Sequence, residues 1–424
     1  AKEVIDVSGC YLAPGFVDAH MHLESSKMWV SEYVKAVLPY GTTAVAADPH
    51  EIANVAGMDG IRALIDAAEH LPFTFGVAAS SCVPESPFAS AGAAFTVKEV
   101  RALIEEHGAI GVAEVMNYPA VINGDPMFRD IIATAGWRRV DGHAPGLRGP
   151  QLDAYLAAGV ESDHEVFELD EAHEKRQKGM WVFLRQGSVS QDLVRLLPTV
   201  VSHGTTATSF CTDDREPDLL RDEGHLNHCI RLAVESGLSV IDALCVASYY
   251  PAQYHNFFHL GSLGPGYQAD VVVFDKLEGF VPSMVLQKGR VVARNGKIVE
   301  GIVPPTSPPA SLYNRINLHH LPTPAELTIE PPASGMANVI GVWSGTVRTK
   351  ALQLNVTDPS IDIARIAVVE RHKATGRIGL GYLSGYGMTR GAIASTVAHD
   401  AHNIMVVGAR DETGPADMAV AIAR

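Results

Sequence analysis

The sequence is poor in cysteine, and the few cysteines present follow no binding pattern. The five positions are Cys10, Cys82, Cys211, Cys229 and Cys245, an odd number without a Cys-x-x-Cys pair. This spacing favours reduced, buried thiols in a cytoplasmic protein over disulfides or a structural zinc site.

Positive charge and long apolar runs are also scarce. Lysine and arginine number 33 against 48 acidic residues, which gives a net charge of −15. That balance argues against a nucleic-acid partner, because such proteins need a basic face. Apolar runs such as Val271–Phe274 are far shorter than the roughly 18 residues of a membrane helix. No charged segment followed by an apolar one opens the chain, so we expect neither a membrane partner nor export.

What the sequence does contain is the composition of a globular enzyme. Hydrophobic residues make up 47% and charged residues 19% of the 424 positions. This length exceeds one ordinary core and suits two domains, or one barrel with an added layer.

Short apolar segments alternate with segments of helical period from about Leu12 to His255. The amphipathic stretches include Val97–His107, Gly149–Ala158 and Leu226–Ser236. Strands that alternate with helices predict parallel βαβ units, and eight units in this length predict a (β/α)8 TIM-like barrel. A doubly wound open sheet is the competing fold, but it gives no reason for polar residues to end so many strands. The eight predicted strands are Phe16–His20, Thr42–Ala47, Phe73–Ala79, Ile110–Glu114, Arg139–Gly142, Val160–Asp163, Trp181–Arg185 and Ala207–Cys211.

The remaining segments predict additions to this barrel, which we assign to residues 14–255. A small flanking β layer is expected from residues 1–13, with a strand at Glu3–Val7, and from residues 256–303, with hairpin strands at Val285–Lys288 and Val291–Ala293. A Pro/Ser-rich linker should occupy residues 304–337. Residues 338–424, with strand-like runs at Ile366–Glu370 and Ile404–Gly408, form a C-terminal α/β segment.

The strongest local signal for chemistry is the pair His20 and His22 in Phe16–His22. Alternate residues of a strand point the same way, so both imidazoles leave the same side of the first barrel strand. That geometry suits two ligands of one divalent ion. A lone His-x-His pair is weak evidence, because either residue can be a surface or capping group.

Other strand ends carry further side chains that bind metals. The carboxyl-terminal mouth of a barrel is where its enzymes place catalytic groups. Converging ligands at five strand ends are a poor fit to chance and predict a metal centre. The six side chains are His20, His22, Glu114, His143, His164 and Asp213.

Longer motifs surround these ligands and continue towards the carboxyl terminus. They are Pro14–Ser26, Ala47–Val55, Ala113–Asn117, Asp141–Gly146, Ser162–Glu165, Phe210–Arg215, Glu370–His372 and Ala398–Asn403. The ligand arrangement resembles the amidohydrolase superfamily, and the motifs resemble the adenine deaminase family in particular, over nearly the whole chain. The resemblance also implies a longer β segment before residue 1 and a longer carboxyl terminus, so we expect an incomplete flanking layer and C-terminal domain.

The resemblance implies two divalent metal ions bridged by Glu114 and a hydroxide that attacks carbon 6 of free adenine. Manganese or iron is expected, and zinc is compatible with the same mixed ligands. Asp213 is the expected proton shuttle, with Asp214 as its alternative.

Attack at carbon 6 places negative charge on ring nitrogen 1, which needs a hydrogen-bond donor such as a protonated carboxylic acid or a histidine. Glu51 and His50, in the loop after the second strand, are candidates for this donor, and Asp48 at the end of that strand is a further catalytic candidate. The alternative for this segment is a helix N-terminus capped by Asp48. Arg185 could touch substrate or pair with an acid. The other residues expected to bind substrate or close the site are Asn117, Ser188, Asp214, His399, Asp400 and His402; hydrogen-bonded structural groups are the alternative for the last three.

Two other functions compete with deamination. The same metal centre could open cyclic amides or remove N-acyl groups in another binuclear amidohydrolase. A non-enzymatic barrel scaffold is less favoured, because it has no reason to keep six converging ligands. We expect a small-molecule substrate and a homo-oligomer.

Overall fold

The computed structural model describes residues 4–424, and these fall into two compact units. The first comprises residues 4–52, 58–82 and 95–310, and the second comprises residues 53–57, 83–94 and 311–424. The limits predicted for the linker and the C-terminal domain stay predictions.

A ring of parallel strands forms the centre of the first unit. After β1 (Tyr11–Pro14), the barrel strands are β2 (Phe16–Met21), β3 (Thr42–Ala47), β4 (Thr74–Val77), β5 (Gly111–Val115), β6 (Arg139–Gly142), β7 (Ser162–Asp163), β8 (Trp181–Arg185) and β9 (Thr208–Cys211). They pair as β2–β3–β4, β5–β6 and β7–β8–β9. A bridge between Ala79 and Val112 and a hydrogen bond from Glu161 N to Val140 O join these three groups. The ring closes where Asp213 N donates to His20 O, and this arrangement confirms the predicted (β/α)8 barrel.

The barrel strands are two to six residues long and largely buried. All six residues of β2 and all six of β3 are buried, as expected for parallel strands covered by helices. Three predicted strands have the observed bounds. The largest differences are at Phe73–Ala79, which the structure shortens to β4, and at Val160–Asp163, which it shortens to β7.

Helices follow the strands and cover the barrel. In α3, for example, a capping box between Thr96 and Glu99 fixes the first turn, while Val100, Leu103 and Ile104 are buried. The second helix is broken at Gly57, whose φ of 62° favours glycine. The helices are α1 (Val30–Val37), α2 (His50–Ala68), α3 (Val97–Glu105), α4 (Tyr118–Ile122), α5 (Pro126–Thr134), α6 (Gly149–Ala157), α7 (Leu169–Gln177), α8 (Leu193–Leu196), α9 (Pro198–His203), α10 (Pro217–Asp222), α11 (Leu226–Glu235), α12 (Val240–Ala247) and α13 (Tyr249–Tyr254).

A five-stranded antiparallel sheet flanks the barrel. It has the order β1-β10-β11-β12-β13, with β10 at Val271–Phe274, β11 at Met284–Gln287, β12 at Arg290–Arg294 and β13 at Lys297–Ile298.

The sequence predicted that a strand at Glu3–Val7 would join this sheet, and the structure does not confirm it. Glu3 lies outside the described residues, and residues 4–7 form no strand. The chain turns at Gly9, where Cys10 N donates to Val7 O, and β1 pairs with β10 instead. The prediction was wrong because residues 4–7 lie before this turn, whereas the strand that pairs with β10 lies after it and leads into the barrel.

The second unit is built on a six-stranded sheet of order β15-β14-β17-β16-β19-β18. Leu327, Ala367, Val406 and Met418 form a buried core between one face of this sheet and α14 (Gly414–Ala423). The predicted strands at Ile366–Glu370 and Ile404–Gly408 correspond to β16 and β19. The strands are β14 (Met336–Gly341), β15 (Lys350–Asn355), β16 (Ala364–Val369), β17 (Ile378–Ser384), β18 (Ala392–Ser395) and β19 (Ile404–Ala409).

Among the helices of residues 4–424, none combines the length and the apolar character that crossing a membrane requires.

Candidate metal centre

The first two predicted ligands lie together at the end of β2. The Nε2 atoms of His20 and His22 are 3.2 Å apart, and both side chains are buried. The Nδ1 atom of His22 contacts the carbonyl oxygen of Asp48 at 2.9 Å. This contact fixes the ring and leaves Nε2 directed into the site.

Glu114 stands at the centre of the site, at the end of β5. Its Oε1 lies 3.4 Å from His22 Nε2 and 3.5 Å from His50 Nδ1. Its Oε2 lies 2.6 Å from His143 Nδ1 and 3.4 Å from His164 Nε2. Each oxygen therefore faces a different set of imidazoles, which is the arrangement required of a carboxylate that bridges two cations.

Asp213, just after β9, approaches the same histidines from the other side. Its Oδ1 lies 3.1 Å from His22 Nε2. Its backbone adopts a φ of 53°, a left-handed conformation that aspartate tolerates better than most residues. In this conformation its N–H donates to His20 O and its carbonyl accepts from His22 N. The closure of the barrel thus holds Asp213 beside the two histidines.

Arg185, at the end of β8, is paired with acids. Its guanidinium is buried, and Nη1 lies 2.6 Å from Asp213 Oδ2. Nη2 lies 3.1 Å from Asp192 Oδ2 and 3.2 Å from Glu165 Oε2. Of the two roles considered from sequence, these contacts favour ion pairing with acids.

The segment after β3 places its polar residues beside the site. Asp48 Oδ2 lies 3.2 Å from His50 Nδ1, and Asp48 Oδ1 accepts from Ser80 Oγ at 2.8 Å. Pro49, not Asp48, is the N-cap of α2, and no side chain caps that helix. The predicted helix N-terminus is confirmed, since α2 begins at His50 with Glu51 in its first turn. Only the cap assigned to Asp48 was wrong, because its carboxylate is engaged by His50 and Ser80.

Glu51 is connected to Asp214 through one hydroxyl. Ser25 Oγ lies 3.2 Å from Glu51 Oε1 and 2.5 Å from Asp214 Oδ1. Asp213 faces the histidines, while its neighbour Asp214 faces this hydroxyl. The adjacent acids thus have different surroundings, a distinction the sequence left open.

The charges of the site are mutually stabilising. Burial would raise the pKa of Glu114, but the charge and hydrogen bond of His143 hold it well below its usual range. Burial would also raise the pKa of Asp213, but the Arg185 guanidinium and a hydrogen bond from His22 keep it well below normal. Both carboxylates are therefore ionised at neutral pH and suited to bind cations.

The donor set fits divalent metal ions. Imidazole nitrogens and carboxylate oxygens are ligands that manganese, iron and zinc accept. His164 Nδ1 is buried, and within residues 4–424 it has no hydrogen-bond partner. Within the first unit, the groups whose ligand atoms lie within 4.8 Å of one another are His22–Asp48–His50–Glu114, His20–His22–Asp213, His20–Glu114–His164 and His143–His164–Glu165.

Two of the other residues predicted to bind substrate or close the site accept hydrogen bonds from backbone N–H groups of the first unit. Asn117 caps α4 by accepting from Ala120 N, and Ser188 Oγ accepts from Glu216 N. The other three residues, His399, Asp400 and His402, belong to the second unit. The ring centroids of His399 and His402 are 5.9 Å apart.

Two buried acids were assigned no role from sequence. Glu165 and Asp192 both pair with Arg185. Glu165 follows His164 directly and lies within a recognised motif, so its position was a usable signal. Asp192 lies in the loop after β8, and only the folded chain shows that it reaches Arg185.

Two family models match most of the chain. Residues 11–304 match the amidohydrolase family, and residues 344–424 match the adenine deaminase C-terminal domain. Adenine deaminase 2 of Carboxydothermus hydrogenoformans is 40% identical over 97% of this chain and 73% of its own length. An adenine deaminase of Nitratidesulfovibrio vulgaris is 41% identical over 100% of this chain and 74% of its own.

Solved structures share the fold at low sequence identity. The crystal structure of an adenine deaminase aligns with a TM-score of 0.53 and 17% identity, covering 70% of this chain and 90% of that chain. A mutant of atrazine chlorohydrolase from Arthrobacter aurescens, complexed with zinc and atraton, also gives 0.53 and 17% identity, covering 70% and 86%.

Proposed function

This chain belongs to the adenine deaminase family of amidohydrolases, and from this we propose that it hydrolyses free adenine to hypoxanthine and ammonia. The observation that carries the proposal is the match to adenine deaminases, at 40–41% identity over nearly the whole chain. The position of Glu114, whose two oxygens face separate sets of imidazoles within a buried site, supports the metal centre that this reaction would use. The reaction breaks the exocyclic carbon–nitrogen bond of a cyclic amidine, so the protein is a hydrolase.

The amidohydrolase family implies divalent metal ions, and the candidate site offers suitable ligands. We propose two ions, with manganese or iron preferred to zinc. When bound, such ions act as Lewis acids and lower the pKa of water, so that a nucleophile forms near neutral pH. The proposed ligands are His20, His22, Glu114, His143, His164 and Asp213.

Asp213 is the proposed proton carrier. Its Oδ2 is held by Arg185, and its Oδ1 is directed at the histidines. Asp213 accepts a proton from the attacking water and delivers one to the departing amine. Because Arg185 holds this carboxylate in one orientation, Asp213 is already positioned for proton transfer and need not reorient during the reaction.

A donor to ring nitrogen 1 completes the proposed reaction. Attack at carbon 6 places negative charge on that nitrogen. His50 and Glu51, the latter in its protonated form, are the proposed donors. Asp48 orients His50 through its contact with Nδ1, and Ser25 holds the carboxyl of Glu51.

Cellular location and assembly are part of the proposal. A cytoplasmic protein is supported by the five cysteines, all of which are free thiols. A homo-oligomer stays a prediction from the sequence.

The decisive assay is ammonia release by protein reloaded with manganese, measured across free purines, nucleosides and cyclic amides. Adenine should give hypoxanthine and one equivalent of ammonia, with a matching loss of adenine absorbance. Turnover of cyclic amides alone would overturn the proposed substrate while leaving the metal centre in place.

A further inference from the structure

Lys175, on α7, is a charged residue placed where a helix normally buries an apolar one. Its side chain is fully buried. A buried ammonium is costly unless every N–H finds an acceptor and the charge is compensated. Three acceptors meet this need, since Nζ lies 2.5 Å from Asp163 Oδ2, 2.5 Å from Glu171 Oε1 and 2.8 Å from Ala144 O.

Two of these acceptors adjoin proposed metal ligands in the chain. Ala144 directly follows His143, and Asp163 directly precedes His164. The ammonium therefore joins the end of β6 to the end of β7, the two strands that carry these histidines.

The two carboxylates extend the same connection to the backbone. Asp163 Oδ1 accepts from Glu165 N at 2.8 Å and from Ala144 N at 3.4 Å. Glu171 Oε1 accepts from Gly146 N at 2.8 Å. Backbone groups on both loops are thus bound to a single buried cluster of Asp163, Glu171 and Lys175.

We propose that Lys175 is a positioning residue for the half of the metal centre formed by His143 and His164. The inference rests on the proposed metal centre and does not depend on the substrate. Lys175 fixes the loops after β6 and β7, so that both imidazoles meet Glu114 Oε2. The cluster also carries two negative charges and one positive charge, and its net negative charge favours a cation beside these two imidazoles.

The alternative is that Lys175 contributes only to general stability. In that case its loss would lower the melting temperature of the protein, and the binding of the two ions would be weakened equally or not at all. A selective effect on one ion distinguishes positioning from stability.

The experiment compares Lys175→Met with Lys178→Met. Lys178 lies near the end of the same helix and also pairs with two acids, Asp153 and Glu174, but at the surface. Each protein is loaded with Mn²⁺, and the release of metal to a chelator is followed by metal analysis. Lys175→Met should release one of its two ions at least about 10-fold faster than wild type, and Lys178→Met should release neither faster.

Unchanged release of both ions by folded Lys175→Met, or equal acceleration of both, would overturn the positioning role. If that variant does not fold, Glu171→Gln decides, because it keeps the Asp163–Lys175 pair but loses one charge. Faster release of one ion from Glu171→Gln supports the proposal, and unchanged release contradicts it. A wild-type protein that binds no metal would refute the metal centre itself, whereas metal binding without adenine turnover would refute only the proposed substrate.

Discussion

Arg185 and Asp213 form a buried ion pair that leaves one carboxylate oxygen for the metal centre. Arg185 Nη1 lies 2.6 Å from Asp213 Oδ2, while Asp213 Oδ1 lies 3.1 Å from His22 Nε2. The two oxygens of one carboxylate therefore have separate partners. A permanent cation holds one of them, and this fixes the direction of the other.

The first prediction follows from this pair. Arg185→Met should lower kcat by about 100-fold or more while changing KM little, because the lost contact positions Asp213 and not the substrate. It should also cost about 3–5 kcal/mol of stability, since three acids lose a buried partner. Steady-state kinetics and urea unfolding measure both effects.

The matched control is Arg195→Met. Arg195 also binds Asp192, but its side chain is half exposed. That variant should keep wild-type kinetics. A large rise in KM for Arg185→Met with unchanged kcat would instead make Arg185 a substrate contact.

The second prediction concerns the metal centre. Glu114→Ala should remove most bound metal and activity with little change in fold, because both sets of imidazoles lose their common carboxylate. His20→Ala should act in the same direction. Metal analysis and circular dichroism measure the outcome, and Glu105→Ala on the exposed side of α3 is the control. Two ions retained per chain by Glu114→Ala would refute the bridging role.

The third prediction concerns substrate selection. Adenosine should be a far poorer substrate than adenine, because ribose on nitrogen 9 removes an N–H donor and adds bulk. A site that binds this donor through buried acceptors discriminates by several kcal/mol, roughly 100-fold or more in kcat/KM. Ammonia release at matched concentrations tests this. Equal turnover of the two compounds would mean that nitrogen 9 is not recognised.

The fourth prediction concerns His402 of the second unit, which was predicted to help close the site. His402→Ala should lower kcat several-fold without reducing the metal content, because the barrel ligands remain. Kinetics and metal analysis of the same preparation measure both quantities. Wild-type kinetics in this variant would show that His402 is a structural group and does not help to close the site.

The fifth prediction is a pH dependence of stability in the second unit. Although burial opposes it, hydrogen bonds from Thr375, Lys373 and His372 lower the pKa of Glu370 from 4.5 to about 2. A depressed folded-state pKa stabilises the fold above the unfolded-state pKa, and this stability is lost as the pH falls from 4.5 towards 2.

Glu370→Gln should therefore cost on the order of 2 kcal/mol at neutral pH, with a difference from wild type that shrinks below pH 4.5. Hydrogen exchange of amides in β16 and β19 reports on this unit, and Glu412→Gln at the surface is the control. A difference that does not depend on pH would show that the carboxylate charge is unimportant.

The barrel was predictable because its signals are local. On these strands an apolar run is followed within a few residues by a polar end, as Phe16–Val17 is by His20, Val112–Ala113 by Glu114 and Phe210–Cys211 by Asp213. Periodicity therefore located all eight strands to within two residues at each end. Residues 4–7 were misassigned because Val4, Ile5 and Val7 are apolar like the residues of a strand, whereas β1, which follows the turn at Gly9, pairs with β10.

The sequence by itself determined the barrel, the strand-end residues and their chemical type, because these depend on period and on residue identity. Only the tertiary structure decided which side chains meet. Arg185 could have contacted substrate, and Asp213 and Asp214 were indistinguishable along the chain. Closure of the ring between β9 and β2 directs Asp213 towards His22, and the packing of α7 buries Lys175 against two loops. Such contacts join residues far apart in the chain, so no local pattern records them.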